Sequence, residues 1–378
     1  MAKNDINKTE FSEETKLKLS LFRECFREWF PVFVHNPFIT HIYVYDMFAG
    51  SGKDAANNPG SPLILFQESR GDNKQHCKSL LKTNAPGVVF AFNELDSDKR
   101  AELEKNVFGE YSACKQLCKE KKCPFTNSFH YADVDFSTLI KNDRLTTILS
   151  SNKYAKFILL DQYGFKQIND DVFLKLVNSP NTDFIFFIAS SFVKRFKDLP
   201  AVTTYFDINK IRYDETQPKE CHKAITDYFR NIIPSGKKYF LHSFTIQKGS
   251  NYYGLIFGSN HSLGMEKFVK VCWRHDKQAG ESNCNLYNDY EEGTLFYNTV
   301  NTNKKDLIRQ KIQEKILNSQ INDNISGLEY ALQNGCEPKL FVEVIKQLQS
   351  QNKVKIVGEF NSQSTNIHKV KKYGIIVV

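Results

Sequence analysis

The sequence predicts an α/β fold: a doubly wound, mostly parallel sheet with an antiparallel edge, followed by a small helical module at the C-terminal end. Three observations carry this expectation. Short β-rich runs alternate with helical patterns through the first half of the chain. Two of those runs, Phe157-Ile158-Leu159-Leu160 and Phe184-Ile185-Phe186-Phe187-Ile188, are continuously apolar, as strands buried on both faces are. Near Asn301 the pattern changes to short amphipathic helices and two short strands.

The elements follow in order. Ser12 can cap a helix that runs to about Phe30, with Leu17, Leu21, Phe22, Cys25, Phe26, Trp29 and Phe30 on one face and Pro31 helping to end it. His41 to Asp46 is the first strand. Ser61-Pro62 reads as a helix start, with Ser61 at the cap. Gly87 to Asn93 is the second strand, followed by a helix from Ser97 to about Val107. Phe129 to Ala132 is the third strand, Lys156 to Leu160 the fourth and Asp183 to Ala189 the fifth. Phe136 to Leu149 and Asp170 to Val177 are helical between them. Tyr239 to Ile246 and Tyr252 to Phe257 flank Lys248-Gly249-Ser250 and pair antiparallel at one edge. At the end come helices over Lys304–Leu317, Ser326–Gln333 and Pro338–Ser350, then strands over Lys353–Val357 and Tyr373–Val378. That succession makes a winged-helix module. The expected organisation is therefore a helix over 1–35 packed on the main domain, a Rossmann-like domain over 36–300 with a Cys/Lys-rich insert near 108–128, and a winged helix over 301–378.

Bulk properties narrow the function classes. With 378 residues, 41% hydrophobic and 25% charged, the chain has the composition of a globular protein of two or three domains. No apolar run approaches the ~18 residues of a membrane span. The first ten residues lack a signal-peptide core, so a cytoplasmic location is expected. Nine scattered cysteines in such a chain read as thiols, not a disulfide framework. The net charge of +8 permits nucleic-acid binding without demanding it.

Chemistry is expected where the parallel strands end, because ligands of open α/β sheets sit beyond the strands' carboxyl ends. The first strand runs straight into Asp46-Met47-Phe48-Ala49-Gly50-Ser51-Gly52. Gly50 and Gly52 let backbone approach a bulky cofactor, and Asp46 can accept hydrogen bonds. Glu94 ends the second strand, where a carboxylate can accept both hydroxyls of a ribose. Asp133 ends the third, placed to meet an adenine amino group. Asp161 ends the fourth, beside the substrate. A single glycine loop is found in many turns; three further carboxylates at successive strand ends turn it into a nucleoside-cofactor site with Asp46, Phe48, Gly50, Gly52, Glu94 and Asp133 as binding residues. Gly50-Ser51-Gly52-Lys53 lacks the spacing of a phosphate loop. No paired carboxylates are left over for a Mg²⁺-dependent nuclease.

Asp161-Gln162-Tyr163-Gly164 resembles the Asp-Pro-Pro-Tyr motif of amino-methyltransferases, in which the acid and a backbone carbonyl accept from an exocyclic amine and the aromatic ring stacks on the base. Asp161 and Tyr163 are thus the candidate catalytic pair. Gln162 lacks proline's fixed φ. The ordered blocks Tyr45–Gly52, Gly60-Ser61-Pro62-Leu63, Phe92-Asn93-Glu94 and Leu160–Gly164, with Tyr253–Phe257, His261 and Gly264 later on, are similar to the three-Cys-motif partner family, TcmP, over roughly residues 12–375. The resemblance implies a class I methyltransferase-like fold, S-adenosylmethionine (SAM) as cofactor and a protein partner bearing a three-cysteine motif. The expected function is SAM-dependent methylation of nucleic acid, with an exocyclic amine as candidate target. The alternative is a non-catalytic SAM-binding or nucleic-acid-binding adaptor for that partner.

Two further features of the sequence bear on function. Cys114, Cys118 and Cys123 with His130 could hold zinc, but the spacing is loose and His130 falls in a strand; a disordered or loosely helical insert with no metal is the expectation. Residues 301–378 carry 12 Lys+Arg against 7 Asp+Glu. On the wing, Lys369, Lys371 and Lys372 are the candidate phosphate contacts.

Overall fold

A computed structural model describes residues 8–118, 120–162, 166–195, 197–198, 200–203, 210–211, 220–284, 303–360 and 371–378. Its elements are α1 (Glu13–Val34), β1 (His41–Asp46), α2 (Ser61–Arg70), α3 (Gln75–Leu80), β2 (Gly87–Asn93), α4 (Ser97–Gln116), β3 (Phe129–Ala132), α5 (Phe136–Leu139), α6 (Asp143–Ser150), β4 (Tyr154–Leu160), α7 (Asp170–Val177) and β5 (Thr182–Ile188). Then follow α8 (Ser190–Arg195), α9 (Pro200–Thr203), α10 (Cys221–Ile232), β6 (Phe240–Lys248), β7 (Asn251–Ser259), α11 (Ser262–His275), α12 (Lys304–Leu317), α13 (Asn324–Gln333), α14 (Lys339–Ser350), β8 (Val354–Val357) and β9 (Gly374–Val377).

Seven strands form one sheet in the order β3-β2-β1-β4-β5-β7-β6. β1 lies between β2 and β4, parallel to both, with Asp46 opposite Phe92 on one side and Leu159 on the other. β7 runs antiparallel to β5 and to β6, and the β6–β7 turn passes through Gly249 at φ +57°. This is the expected Rossmann-like, mostly parallel sheet with an antiparallel edge. The period of two along buried strands sorts the core: Phe157 and Leu159 join the apolar cluster under α1, α2, α4 and α11, while Ile158 and Leu160 join the one under α6, α7 and α10.

Several boundaries depart from the sequence reading, each for a physical reason. α1 continues through Pro31 to Val34, because a proline this near the end forfeits one N–H bond while its own carbonyl still accepts from His35 N–H (3.3 Å). Gly60, not Ser61, caps α2; Ser61 is the first helical residue. α4 runs beyond Val107 to Gln116, so the first part of the Cys/Lys-rich insert is ordered helix. Aromatic contacts of Tyr111 with Phe66 and Phe129 hold this extension. The single helix expected over Phe136–Leu149 is two, because the Asn142 side chain accepts from Arg144 N–H and Leu145 N–H and starts a new helix. α10 and α11 were not anticipated. His261 is the cap of α11, its Nδ1 accepting from Leu263 N–H at 3.1 Å.

At the C-terminal end, α12, α13 and α14 are followed by an antiparallel pair, β8 with β9. Their apolar residues, among them Ile312, Leu328, Phe341 and Ile345, belong to the same continuous core as α1, α11 and β6. Lys304, at the start of α12, is buried there: its ammonium meets Glu281 Oε1 at 2.6 Å and donates to Ala279 O (2.9 Å). Lys223 meets Glu281 from the other side at 2.8 Å. Among the described residues no helix is long and apolar enough to cross a membrane.

Candidate cofactor site at the carboxyl ends of the strands

The loop after β1 leaves the sheet under tight backbone control. Met47 N–H donates to Leu159 O (3.0 Å) and Ala49 N–H to Asn93 O (2.9 Å), so the loop is stitched to both neighbouring strands. Gly50 and Gly52 sit at φ +60° and +83°, a region that favours glycine. A Cβ on Gly52 would also stand 2.9 Å from Leu103 Cδ1. Gly60 N–H closes the loop onto Gly52 O at 2.8 Å, and Asn106 of α4 donates to Ser51 O at 2.8 Å.

Glu94 is joined to this loop directly. Its Oε2 accepts from Gly50 N–H (2.9 Å) and its Oε1 from Asp96 N–H (3.1 Å), leaving further lone pairs on each oxygen for a ligand. Leu95 beside it is 58% exposed, an apolar surface on which a flat ring could lie. Asn93 was missed by the sequence reading. Buried at the end of β2, it donates to Met47 O (3.3 Å) and Val134 O (2.9 Å) and accepts from Val134 N–H (3.1 Å). One amide thus ties three strand ends. The available signal was a polar residue closing an apolar strand.

Asp133 lies exposed beyond β3, with Arg100 Nε of α4 at 3.7 Å. Phe48 is half-buried and packs on Phe136 (ring centroids 5.1 Å apart), closing the space between the loops after β1 and β3. The structure therefore brings Asp46, Phe48, Gly50, Gly52 and Glu94 together, with Asp133 one strand further out.

Asp46 is fully buried. Its Oδ1 accepts from Phe48 N–H (3.2 Å) and its Oδ2 has no hydrogen-bond partner among the described residues. Burial pushes this carboxyl up to about 7; the neighbouring Asp161 carboxylate adds to the rise, while the Ser61 hydroxyl, the Phe48 N–H and the Lys18 ammonium oppose it. An unspent buried acceptor is costly in the free protein and useful once a donor arrives.

Asp161 Oδ2 meets Lys18 Nζ of α1 at 2.5 Å, in a largely buried pair. Gln162 is buried, its Oε1 accepting from Gln167 N–H (2.8 Å) and its Nε2 left without a partner among the described residues. Tyr163 and Lys369 lie outside the described residues. Lys371 and Lys372 are well exposed and form surface pairs with Glu359 (3.4 Å) and Asp323 (3.2 Å).

Both tryptophans, His130 and Cys114 have places of their own in the fold. Trp29 donates to Asp183 Oδ2 at 2.7 Å inside the core, and Trp273 to Gly335 O at 2.9 Å. His130 pairs with Ala91 in the sheet. Cys114 lies on α4, and among the described residues no group of three metal-ligating side chains is arranged to hold an ion.

No protein-family model matches the sequence, and no curated protein matches it. Among solved structures the chain is similar to Trm1 from Pyrococcus horikoshii in complex with S-adenosyl-L-methionine, at 12% identity over 72% of this chain and 62% of that one, with a TM-score of 0.36. It is similar to TrmK from M. capricolum in complex with S-adenosyl-homocysteine, at 15% identity over 82% and 93% of the two chains and a TM-score of 0.28. A third likeness is to precorrin-6y C5,15-methyltransferase from Geobacter metallireducens, at 10% identity over 68% and 91% and a TM-score of 0.29.

Proposed function

We propose that this protein is a SAM-dependent methyltransferase acting on nucleic acid, with an exocyclic amine as its target. The observation that carries the reading is the convergence, beyond β1 and β2, of a positive-φ glycine loop, the Glu94 carboxylate bound to that loop and the buried, half-satisfied Asp46. These groups suit a nucleoside carrying an amino acid arm: glycines for close approach, Glu94 for ribose hydroxyls, Leu95 for an adenine face, and Asp46 for a donor. The strand order, with its antiparallel β7, fits the class I arrangement that the sequence resemblance implies.

When bound, SAM supplies a methyl group on a positively charged sulfur. The chain's own part is to hold the acceptor. Asp161 Oδ1 and a backbone carbonyl of the 161–164 motif accept hydrogen bonds from the amine and orient its lone pair, and the Asp161 carboxylate takes up the proton that the amine releases as the methyl group bonds to nitrogen. Asp133 in this reading faces the adenine amino group, and Tyr163 stacks on the base. We read α12, α13 and α14 with the β8–β9 pair as a winged helix whose Lys369, Lys371 and Lys372 meet phosphates, since both lysine side chains described there are well exposed and the fully exposed pair of Lys371 with Glu359 yields readily to a polyanion. A partner bearing a three-cysteine motif belongs to the same reading, as does a cytoplasmic location.

The adaptor alternative rests on Gln162, which stands where the amino-methyltransferase motif has proline. Calorimetry with SAM and a methyl-transfer assay on DNA and RNA, run on the parent and on Asp161→Ala, separate the two. The enzyme reading expects micromolar SAM binding in both proteins and methyl transfer in the parent alone. Transfer by Asp161→Ala at the parent rate removes Asp161 from the chemistry. SAM binding without transfer, with or without the partner, favours the adaptor.

A further inference from the structure

The N-terminal segment crosses the carboxyl ends of the strands and is fastened there at several points. Phe11 N–H donates to Asp54 Oδ2 in a buried bond of 2.8 Å. Lys248, at the end of β6, reaches Ser12 Oγ at 3.1 Å. Lys18 Nζ then meets Asp161 Oδ2 at 2.5 Å and stands 4.7 Å from the centroid of the Phe187 ring.

Lys18 is an unusual choice for its position. It falls on the buried face of α1, in line with Leu21, Phe22 and Cys25, where an aliphatic side chain would need no compensation. Burying an ammonium there is costly unless it is paired, and its partner is the acid of the 161–164 motif, 143 residues away. The aromatic face of Phe187 favours a cation at the same place. Asp161 in turn leaves β4 beside β1, which ends in the buried Asp46. Without a cation, two carboxylates would face each other across neighbouring strands.

We propose that Lys18 is a positioning residue of this site: its ammonium fixes the orientation of the Asp161 carboxylate and offsets its charge, so that Asp161 and Asp46 can act side by side. The inference rests on the reading of the strand ends as the functional site. Among the described residues, the charged and polar groups that act on Asp46 are Asp161 beyond β4, Lys18 on α1, Ser61 on α2 and the Phe48 N–H. Asp161 pushes the Asp46 carboxyl up and Lys18 pulls it down, so the two partners of the ion pair should have opposite effects when removed.

The test uses the full chain without cofactor. Infrared difference spectra across a pH titration, with Asp46→Asn to assign the band, follow the protonated Asp46 carbonyl. The parent should show a transition near 7. Lys18→Met should raise it by about one pH unit, a tenfold gain in proton affinity, and Lys18→Arg should return it toward the parent. Asp161→Asn should lower it. An unmoved transition in a folded Lys18→Met overturns the proposal. Should Lys18→Met not fold, an unmoved or raised transition in Asp161→Asn overturns it instead. SAM calorimetry on the same proteins is a separate readout: the predicted shifts in a parent that binds no SAM uphold the role of Lys18 and strike the cofactor reading alone.

Discussion

Two buried polar regions of this molecule solve the same problem in opposite ways. At the junction between the antiparallel edge and the terminal helices, Glu281 is enclosed by Lys304 at 2.6 Å and Lys223 at 2.8 Å. Burial alone would raise its carboxyl, but the two ammoniums overcome this and hold it at about 2. At the carboxyl ends, Asp46 is equally buried but has an oxygen without a hydrogen-bond partner among the described residues, and its carboxyl rises to about 7. The difference separates a polar cluster that fastens elements together from one that waits for a ligand. Full charge matching leaves little to gain from binding, whereas an unspent acceptor is a standing cost that a donor can relieve.

The comparison can be broken at either end. The largest effect is expected at the junction. Lys304→Met removes one cation from Glu281 in a place almost without water and should cost about 3–5 kcal/mol, read as a drop in the urea midpoint. In the parent, Glu281 contributes stability that is present above its usual 4.5 and is lost as pH falls toward about 2. That acid dependence should shrink in the variant. A loss below about 1 kcal/mol, the range of exposed pairs, would mean that the junction is no lock.

At the strand ends the sign reverses. Folded Asp46 keeps its proton up to about 7, whereas the unfolded chain releases it near 3.8. Between those values the native state binds more protons, so stability falls as pH rises. Asp46→Asn has no such proton to lose. The stability gap between variant and parent should therefore open in favour of the variant by on the order of 3 kcal/mol from pH 4 to pH 7, then stay level. The same variant should bind SAM more weakly. A variant less stable than its parent at pH 8 would show that Asp46 holds the fold together as Glu281 does.

The smallest effect concerns the glycine loop that follows Asp46 and is bound to Glu94. Gly52 needs its φ of +83°, so Gly52→Ala should cost about 1–2 kcal/mol of stability. It should weaken SAM binding about tenfold by moving the backbone that Gly50 and Glu94 share. Unchanged affinity would take the loop out of the proposed site.

How much of this was legible beforehand depends on the range of the interactions. The strands and their ends could be read because burial on two faces writes itself into consecutive residues, as in Phe157-Ile158-Leu159-Leu160, and because an acid closing such a run is visible at once. The positions of Asp46, Glu94 and the glycine loop at strand ends are legible in this way. Lys18 is not, because on a helical pattern it is one more surface-type residue until α1 is laid across β4. Asn93 carried a weak signal beside Glu94, but nothing local says that its amide will tie three strands. Helix ends follow a single residue's local preference only where the packing around it agrees. Pro31 did not stop α1, and Asn142 split a helix that looked continuous.

What the sequence by itself determined is the alternation of strands and helices, the positions where strands give way to loops, and the residue types waiting there, all of which follow from periodicity and local backbone preference. Only the tertiary structure decided which of those residues meet. The pairing of Lys18 with Asp161, the enclosure of Glu281 by Lys304 and Lys223, and the joining of the terminal helices to the core under α1 and α11 are contacts between distant segments. Their energy depends on burial and distance, and neither exists until the chain has closed on itself.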